Sequence, residues 1–169
     1  SIILVTLTIN ATDNIGNLSD SLVGTLIFGK NKNACPPDMA EIPSDMGGFC
    51  IDKYEASPHK SCPNAIPQNQ QETKINLDQS DCKPISVVNA IPWRNISQSQ
   101  AELACSKSGK RLPSNKEWYK AALGTPDHNS PWGKDDCNIG NINGDSPDKT
   151  GSREKCISSF GVYDAIGNV

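Results

Sequence analysis

The stretch ISQSQAELACSKSGKRLPSNKEWYKAAL, residues 96–123, contains two helix start signals one after the other. In the segments Ser97–Gln100 and Ser114–Glu117, a serine is followed three residues later by Gln or Glu, which is the spacing of a capping box. Small and apolar residues recur at helical spacing after each box, and Gly109 stands where a left-handed residue ends a helix. The stretch therefore predicts two short helices joined by a tight connection.

The sequence of this stretch resembles a motif of a known family. Residues Ser108–Trp118, SGKRLPSNKEW, are similar to the motif AGKRLPTEAEW of formylglycine-generating-enzyme (sulfatase-modifying factor) domains. Three further similar segments follow the family order, namely Phe49–Glu55, Pro131–Gly133 and Gly161–Val169. Four matches in order over residues 35–169 indicate the fold, although a fold does not by itself fix an activity.

The resemblance implies an α+β, C-type-lectin-like fold in which two helices pack on small antiparallel sheets with much irregular loop. We expect residues 31–169 to form this domain. We also expect the domain to be incomplete at its C-terminus, because sequences of the family continue beyond the Gly-Asn-Val motif. Within the N-terminal segment 1–30, residues 1–28 alternate apolar and polar side chains with period two, as a half-buried strand does. They resemble the closing strands of a bacterial immunoglobulin-like repeat followed by a linker. The chain is thus interpreted as an excerpt of a longer protein.

Composition excludes several classes of protein. The net charge of −3 and the aromatic content of 5% argue against a nucleic-acid partner. No apolar run in the sequence is long enough to span a bilayer. The seven cysteines form no CxxC pair, so their scattered spacing favours disulfides in an oxidising compartment over a zinc site. We therefore expect a secreted or cell-surface location.

Three disulfides are predicted from the cysteines. The pair Cys62–Cys82 closes the Pro-, Gln- and Asn-rich insertion 57–82, where a bond would stabilise the fold by about 3 kcal/mol. The resemblance implies the pair Cys137–Cys156, because similar Cys-Asn and Gly-Ser-x-x-x-Cys patterns occur in the family. Cys35–Cys50 is the third predicted bond, although sequence alone does not determine connectivity. The resemblance also implies that Cys105 bonds a cysteine in the missing C-terminal region.

Calcium is the metal that the resemblance implies. One implied set of ligands is Asn138, the Ile139 carbonyl and Asp148 (or Asp145), and a second is Asn168 and the Val169 carbonyl. Calcium suits such sets because it accepts many carbonyl and carboxylate oxygens. The alternative is an Asn/Asp-rich loop that satisfies itself through side-chain-to-backbone bonds. A further polar cluster, Asp13, Asn14, Asn17 and Asp20, is typical of turn chemistry, with calcium between repeats as the alternative.

Enzymes of the resembled family oxidise a cysteine of a client protein to formylglycine with copper held by two cysteines. Those cysteines follow the Gly-Asn-Val segment, and none of the seven cysteines here matches them. We therefore predict no catalytic or cofactor-binding residue in this chain. The leading hypothesis is a surface module that binds a protein or small-molecule ligand. The alternative is a copper- and oxygen-dependent oxidase whose catalytic cysteines lie in the missing C-terminal part.

Four other polar residues are considered as active-site candidates only because carboxylates and histidines often act in catalysis or bind metals. Asp52 and Glu55 are interpreted as residues that support the fold, with a paired-carboxylate acid/base site as the alternative. His59 and His128 are isolated in predicted loops without a HxxxH or HxE partner, so we interpret both as ordinary loop residues.

Overall fold

The computed structural model describes residues 6–7, 35–44, 48–129, 131–139 and 146–168. Its elements are the strands β1 (Thr6–Leu7), β2 (Met39–Ile42), β3 (Phe49–Asp52), β4 (Ala56–Pro58) and β5 (Pro84–Ser86), and the helices α1 (Gln70–Asp78), α2 (Gln98–Lys107) and α3 (Asn115–Ala122). The arrangement is α+β with two small antiparallel sheets.

The larger sheet has the order β1-β3-β2, so β3 is its central strand. In its register, Ile51 of β3 lies opposite Ala40 of β2 on one side and Thr6 of β1 on the other. The smaller sheet pairs β4 with β5, with Ser57 opposite Ile85. The β1 pairing joins part of the predicted N-terminal segment to the sheet of the main domain. The rest of that segment, including its polar cluster, lies outside the described residues.

The two helices predicted from the capping boxes are confirmed. The Ser97 hydroxyl accepts a hydrogen bond from the Gln100 N–H at 3.3 Å, and the Gln100 side-chain oxygen accepts one from the Ser97 N–H at 3.0 Å. The box before α3 closes in the same way. Gly109 follows α2 with a φ of 66°, the left-handed conformation expected of a residue that ends a helix.

A third helix lies inside the insertion, which sequence analysis treated as irregular. At its start the Asn69 side chain accepts a hydrogen bond from the Glu72 N–H at 2.9 Å. The Glu72 carboxylate in turn accepts one from the Gln68 N–H at 2.8 Å. Side chains of α2 donate to main-chain carbonyls at both ends of α1, from Gln100 at the start and Lys107 at the end. The two helices therefore lie side by side and point the same way.

Two apolar clusters form the core, one that includes Ala56 of β4 and one that includes residues of β2 and β3. The first gathers around Trp93, which is 1% exposed and lies against α1 and α2. The Trp93 indole N–H donates to the Thr73 hydroxyl of α1 at 3.1 Å, so burial leaves no unpaired donor. The second cluster packs α3 on the larger sheet through Ala121, Ile42 and other apolar residues. Helix α3 ends at Ala122, and Leu123, the residue that caps it, is 41% exposed.

Three disulfides cross-link the domain: Cys35–Cys50, Cys62–Cys82 and Cys137–Cys156. These are the three pairs named from the sequence. The seventh cysteine, Cys105 of α2, has a free thiol and is 0% exposed. Every cysteine of the chain lies in the described part, so this account of the thiols covers all seven.

Candidate functional site

A buried polar cluster lies where the segment between β3 and β4 meets the two loops around residues 138 and 168. We call it the Glu55 cluster, and its members are Glu55, Asn138, Asp148, Arg153, Asp164 and Asn168. Five of the six are at most 9% exposed, although each carries a charge or an amide. Such groups are costly to bury unless they are paired. The partners of each member therefore indicate what the cluster does.

Glu55 is the least satisfied member. One of its carboxylate oxygens, Oε2, accepts a hydrogen bond from the Asn168 side-chain amide. The other, Oε1, is buried and has no hydrogen-bond partner among the residues that the structure describes. Burial raises the pKa of Glu55 to about 8, with the Asn168 hydrogen bond lowering it and the charge of Asp164 raising it further. A carboxylate in this position needs either a proton or a cation.

Asn168 joins the two loops of the cluster. Its side-chain oxygen accepts hydrogen bonds from the Asp148 N–H at 2.8 Å and from the Asn138 side-chain amide at 3.2 Å. Its own N–H donates to the Asn138 carbonyl at 2.8 Å. The approach is close at the preceding residue too, because a Cβ on Gly167 would lie 2.4 Å from that carbonyl. Asn138 and Asn168, assigned from the sequence to separate calcium sites, thus lie in one cluster.

Arg153 fixes the outer part of the cluster. It is 3% exposed, and its Nε donates to Asp148 Oδ2 at 2.6 Å. Its Nη1 also donates to the carbonyls of Gly133 and Asp136, at 3.3 and 3.2 Å. One side chain therefore ties the Pro-Trp-Gly loop to Asp148. Sequence analysis missed Arg153, because nothing within a few residues of it predicts these partners.

Asp164 is the third carboxylate of the cluster and is 2% exposed. Its Oδ2 accepts a hydrogen bond from the Gly151 N–H at 2.7 Å. Burial raises the pKa of Asp164 to about 6, with the Gly151 bond lowering it and the charge of Asp148 raising it. Three carboxylates therefore share one largely buried region in which Arg153 is paired with only one of them.

This donor set resembles what calcium accepts. Calcium binds carboxylate, amide and carbonyl oxygens together, and the unpaired Glu55 Oε1 supplies an oxygen with no other partner. Of the predicted ligands, Asn138, Asp148 and Asn168 belong to the cluster, and Ile139 lies against Gly167. Asp145 and Val169 lie outside the described residues. In the described ranges, no three His, Cys, Asp or Glu side chains group closely enough to hold a metal by themselves.

The other polar candidates are separate from this cluster. Asp52 is 2% exposed and accepts a hydrogen bond from Lys110 Nζ at 2.6 Å, so it does not share a partner with Glu55. Burial raises the pKa of Asp52 to about 6 against the lowering effect of Lys110. His59 contacts the Ser61 hydroxyl at 2.7 Å, and His128 stacks on a tryptophan side chain in its own loop. Asp52 and Glu55 therefore form no paired-carboxylate site, and the only carboxylate near either histidine in the described ranges is Asp136, whose Oδ2 lies 3.5 Å from His128 Nε2.

The remaining thiol offers no reactive group. Burial, with a smaller effect from the charge of Asp52, raises the pKa of Cys105 to about 12. Because the thiolate is the form that attacks substrates and binds metals, a protonated and fully buried Cys105 does neither at neutral pH.

Comparison with known proteins agrees with this architecture. No curated protein and no solved structure matches the chain significantly. Among the helices that the structure describes, none combines the length and apolar character of a membrane span. A family profile described as a sulfatase-modifying factor enzyme 1-like domain matches residues 21–169, which includes the Glu55 cluster, all three helices and all seven cysteines. The chain therefore belongs to the sulfatase-modifying factor, or formylglycine-generating enzyme, family.

Proposed function

We propose that this chain is part of a secreted or cell-surface protein that uses the family scaffold as a ligand-binding module. Disulfides and a calcium ion at the Glu55 cluster stabilise the module, and its ligand is a protein or a small molecule. The observation that carries the proposal is the state of the cysteines. Six of the seven form three disulfides and the seventh is fully buried, which is the pattern of a domain that folds in an oxidising, extracellular compartment.

The chemistry of the other polar residues supports the same function. Two ion pairs among the described residues are largely buried, Asp52 with Lys110 and Asp148 with Arg153. They hold segments of the scaffold together, and none of them pairs a nucleophile with a base. Three disulfides are also what a small, loop-rich domain needs in an oxidising compartment.

Calcium enters the proposal through Glu55. The ion would be held by the Glu55 carboxylate, with Asn138, Asp148 and Asn168 as further oxygen donors. When bound, it would neutralise the buried negative charge and link the three segments of the cluster. The role is structural, because these residues are buried at the junction of segments. Calcium would therefore keep the module in a single shape without contacting the ligand.

The competing activity is tested directly on the full natural protein. It is incubated with a cysteine-containing client peptide, copper and oxygen, and the peptide is analysed by mass spectrometry for conversion of cysteine to formylglycine. We expect the peptide to be recovered with its cysteine intact, and a known enzyme of the family serves as the positive control. Formation of formylglycine by the protein would overturn the binding module in favour of the oxidase.

A further inference from the structure

Helix α3 presents two adjacent rows of side chains to solvent. Tyr119 is 71% exposed, more than any other large apolar side chain in the described ranges, and Leu123 is 41% exposed. Lys116 and Lys120 form the second row, again four residues apart. Since an α-helix turns by about 100° per residue, all four side chains fall within an arc of roughly 100°. We call these four residues the α3 face.

The α3 face is locally positive on an acidic protein. Neither Lys116 nor Lys120 forms an ion pair or hydrogen bond through its ammonium group with any residue that the structure describes. The only carboxylate of α3, Glu117, lies on another side of the helix and is paired with Arg111. The net charge of the chain is −3, so the α3 face carries a local charge opposite in sign to that of the chain as a whole.

Packing on the opposite side of the helix fixes this orientation. Ala121 is 0% exposed, and Trp118 packs against the cluster formed with the larger sheet. The capping box at Ser114 fixes the start of the helix as well. Turning Tyr119 inward would expose Trp118, which is the larger apolar side chain. The fold therefore holds the α3 face towards solvent.

We propose that the α3 face docks an acidic segment of a partner protein that carries an apolar side chain between its carboxylates. The apolar group covers Tyr119 and Leu123, and the carboxylates reach Lys116 and Lys120. Tyrosine is among the residues that most often dominate interfaces, because its ring supplies contact area with few rotatable bonds. The inference rests on the proposed function, since it names the surface through which the module binds.

A protein partner fits this face better than a membrane does. Segments held by anionic lipid carry clusters of about four to eight basic residues, and the α3 face has two. Its eight-residue helix is also about 12 Å long, which is short for a helix lying in a lipid interface. A face with two apolar and two basic side chains is instead the size of a site for a short peptide segment.

The test uses a random copolymer of glutamate and tyrosine as the immobilised probe, with polyglutamate as the purely acidic comparison. The full chain and its variants are measured by surface plasmon resonance. We expect the natural chain to bind the copolymer more tightly than polyglutamate. Lys116→Glu/Lys120→Glu and, separately, Tyr119→Ser should each weaken binding by about tenfold. The matched control is Lys60→Glu/Lys83→Glu, which makes the same change in net charge at exposed lysines away from α3.

Each contrary outcome has a distinct meaning. Equal weakening by the control pair would show non-specific charge attraction and overturn the proposal. Binding to phosphatidylserine vesicles that Tyr119→Ser abolishes would assign the face to a membrane. A concentration-dependent dimer that Tyr119→Ser abolishes would assign it to a second copy of the chain. If the natural chain does not bind the copolymer, the α3 face is refuted, whereas the proposed function is decided separately by the formylglycine assay.

Discussion

Replacing Glu55 by glutamine distinguishes the two ways in which its buried carboxylate can be satisfied, by a proton or by a cation. Glutamine keeps an oxygen that accepts from the Asn168 amide but carries no charge. In calcium-free buffer the variant therefore removes a group that is unfavourable when ionised. In calcium it removes a ligand. We expect the variant to be clearly the more stable protein without calcium and to lose most of that advantage in calcium.

The magnitude follows from the pKa of Glu55, which burial raises from 4.5 to about 8. Because the folded state holds the proton more tightly than the unfolded chain, the stability from Glu55 is fully present below pH 4.5. It is lost as the pH rises through about 8. Because the carboxyl ionises at a lower pH in the unfolded chain than in the folded protein, the free energy of unfolding falls by about 3 kcal/mol by pH 7 and by about 5 kcal/mol well above pH 8. Glu55→Gln should recover about these amounts in EDTA.

The assay is guanidinium unfolding followed by tryptophan fluorescence, with the disulfides intact. In EDTA at neutral pH we expect Glu55→Gln to be the more stable protein, and near pH 4.5 the difference should vanish. Calcium at about 100 times its dissociation constant should stabilise the natural protein by about 2.7 kcal/mol and leave the variant unchanged. Glu154→Gln, at an exposed carboxylate, is the control and should respond to neither condition.

One result would refute this account of the Glu55 cluster. If Glu55→Gln were less stable than the natural protein in EDTA at neutral pH, and calcium stabilised neither, the carboxylate would be satisfied in some other way. Magnesium in place of calcium supplies a further comparison. Because it demands near-octahedral geometry and gives up its water reluctantly, it should stabilise the natural protein less than calcium does.

Three further predictions concern the scaffold. A thiol reagent should find no reactive cysteine in the native protein and one, Cys105, after unfolding without reduction, because the thiol is fully buried. Thr73→Val should lower the free energy of unfolding by about 1–3 kcal/mol in guanidinium unfolding, because it leaves the Trp93 indole N–H buried without an acceptor. Lys110→Met should cost about 3 kcal/mol in the same assay at pH 8, where it leaves Asp52 charged and unpaired. That loss should shrink as the pH falls towards about 6. The pKa of Asp52 is about 6 in the natural protein, where Lys110 lowers it, so without Lys110 the carboxyl takes up its proton at a higher pH and the unpaired charge disappears.

Each of these predictions has a matched comparison. Lys74→Met breaks an exposed ion pair with Asp78 and should change stability by less than about 1 kcal/mol at either pH. A similar loss in Lys74→Met and Lys110→Met would contradict the assigned role of burial. Rapid labelling of the native protein would contradict the buried position of Cys105. An unchanged stability of Thr73→Val would mean that the indole N–H has another acceptor.

Local sequence signals predicted the helices that depend on contacts between near neighbours. A capping box joins residues three apart, so Ser97 and Ser114 fixed the starts of α2 and α3 whatever the rest of the fold does. The same kind of signal, Asn69 followed by Glu72, marked the start of α1. It was overlooked because the Pro- and Asn-rich composition of the insertion favours loop. The pairing of Cys62 with Cys82 was also readable, since the two close a single insertion.

The Glu55 cluster depends on contacts that no local pattern contains. Glu55 looks like any other residue of a strand-rich segment, and its partner Asn168 lies 113 residues further along the chain. Arg153 likewise acquires its role only when the Pro-Trp-Gly loop folds back over it. The segments that pack over a carboxylate decide whether it is exposed to solvent or buried without a partner. The sequence therefore determined the capped helices and the family, whereas the tertiary structure alone decided that Glu55 is buried with one oxygen lacking a hydrogen-bond partner among the described residues.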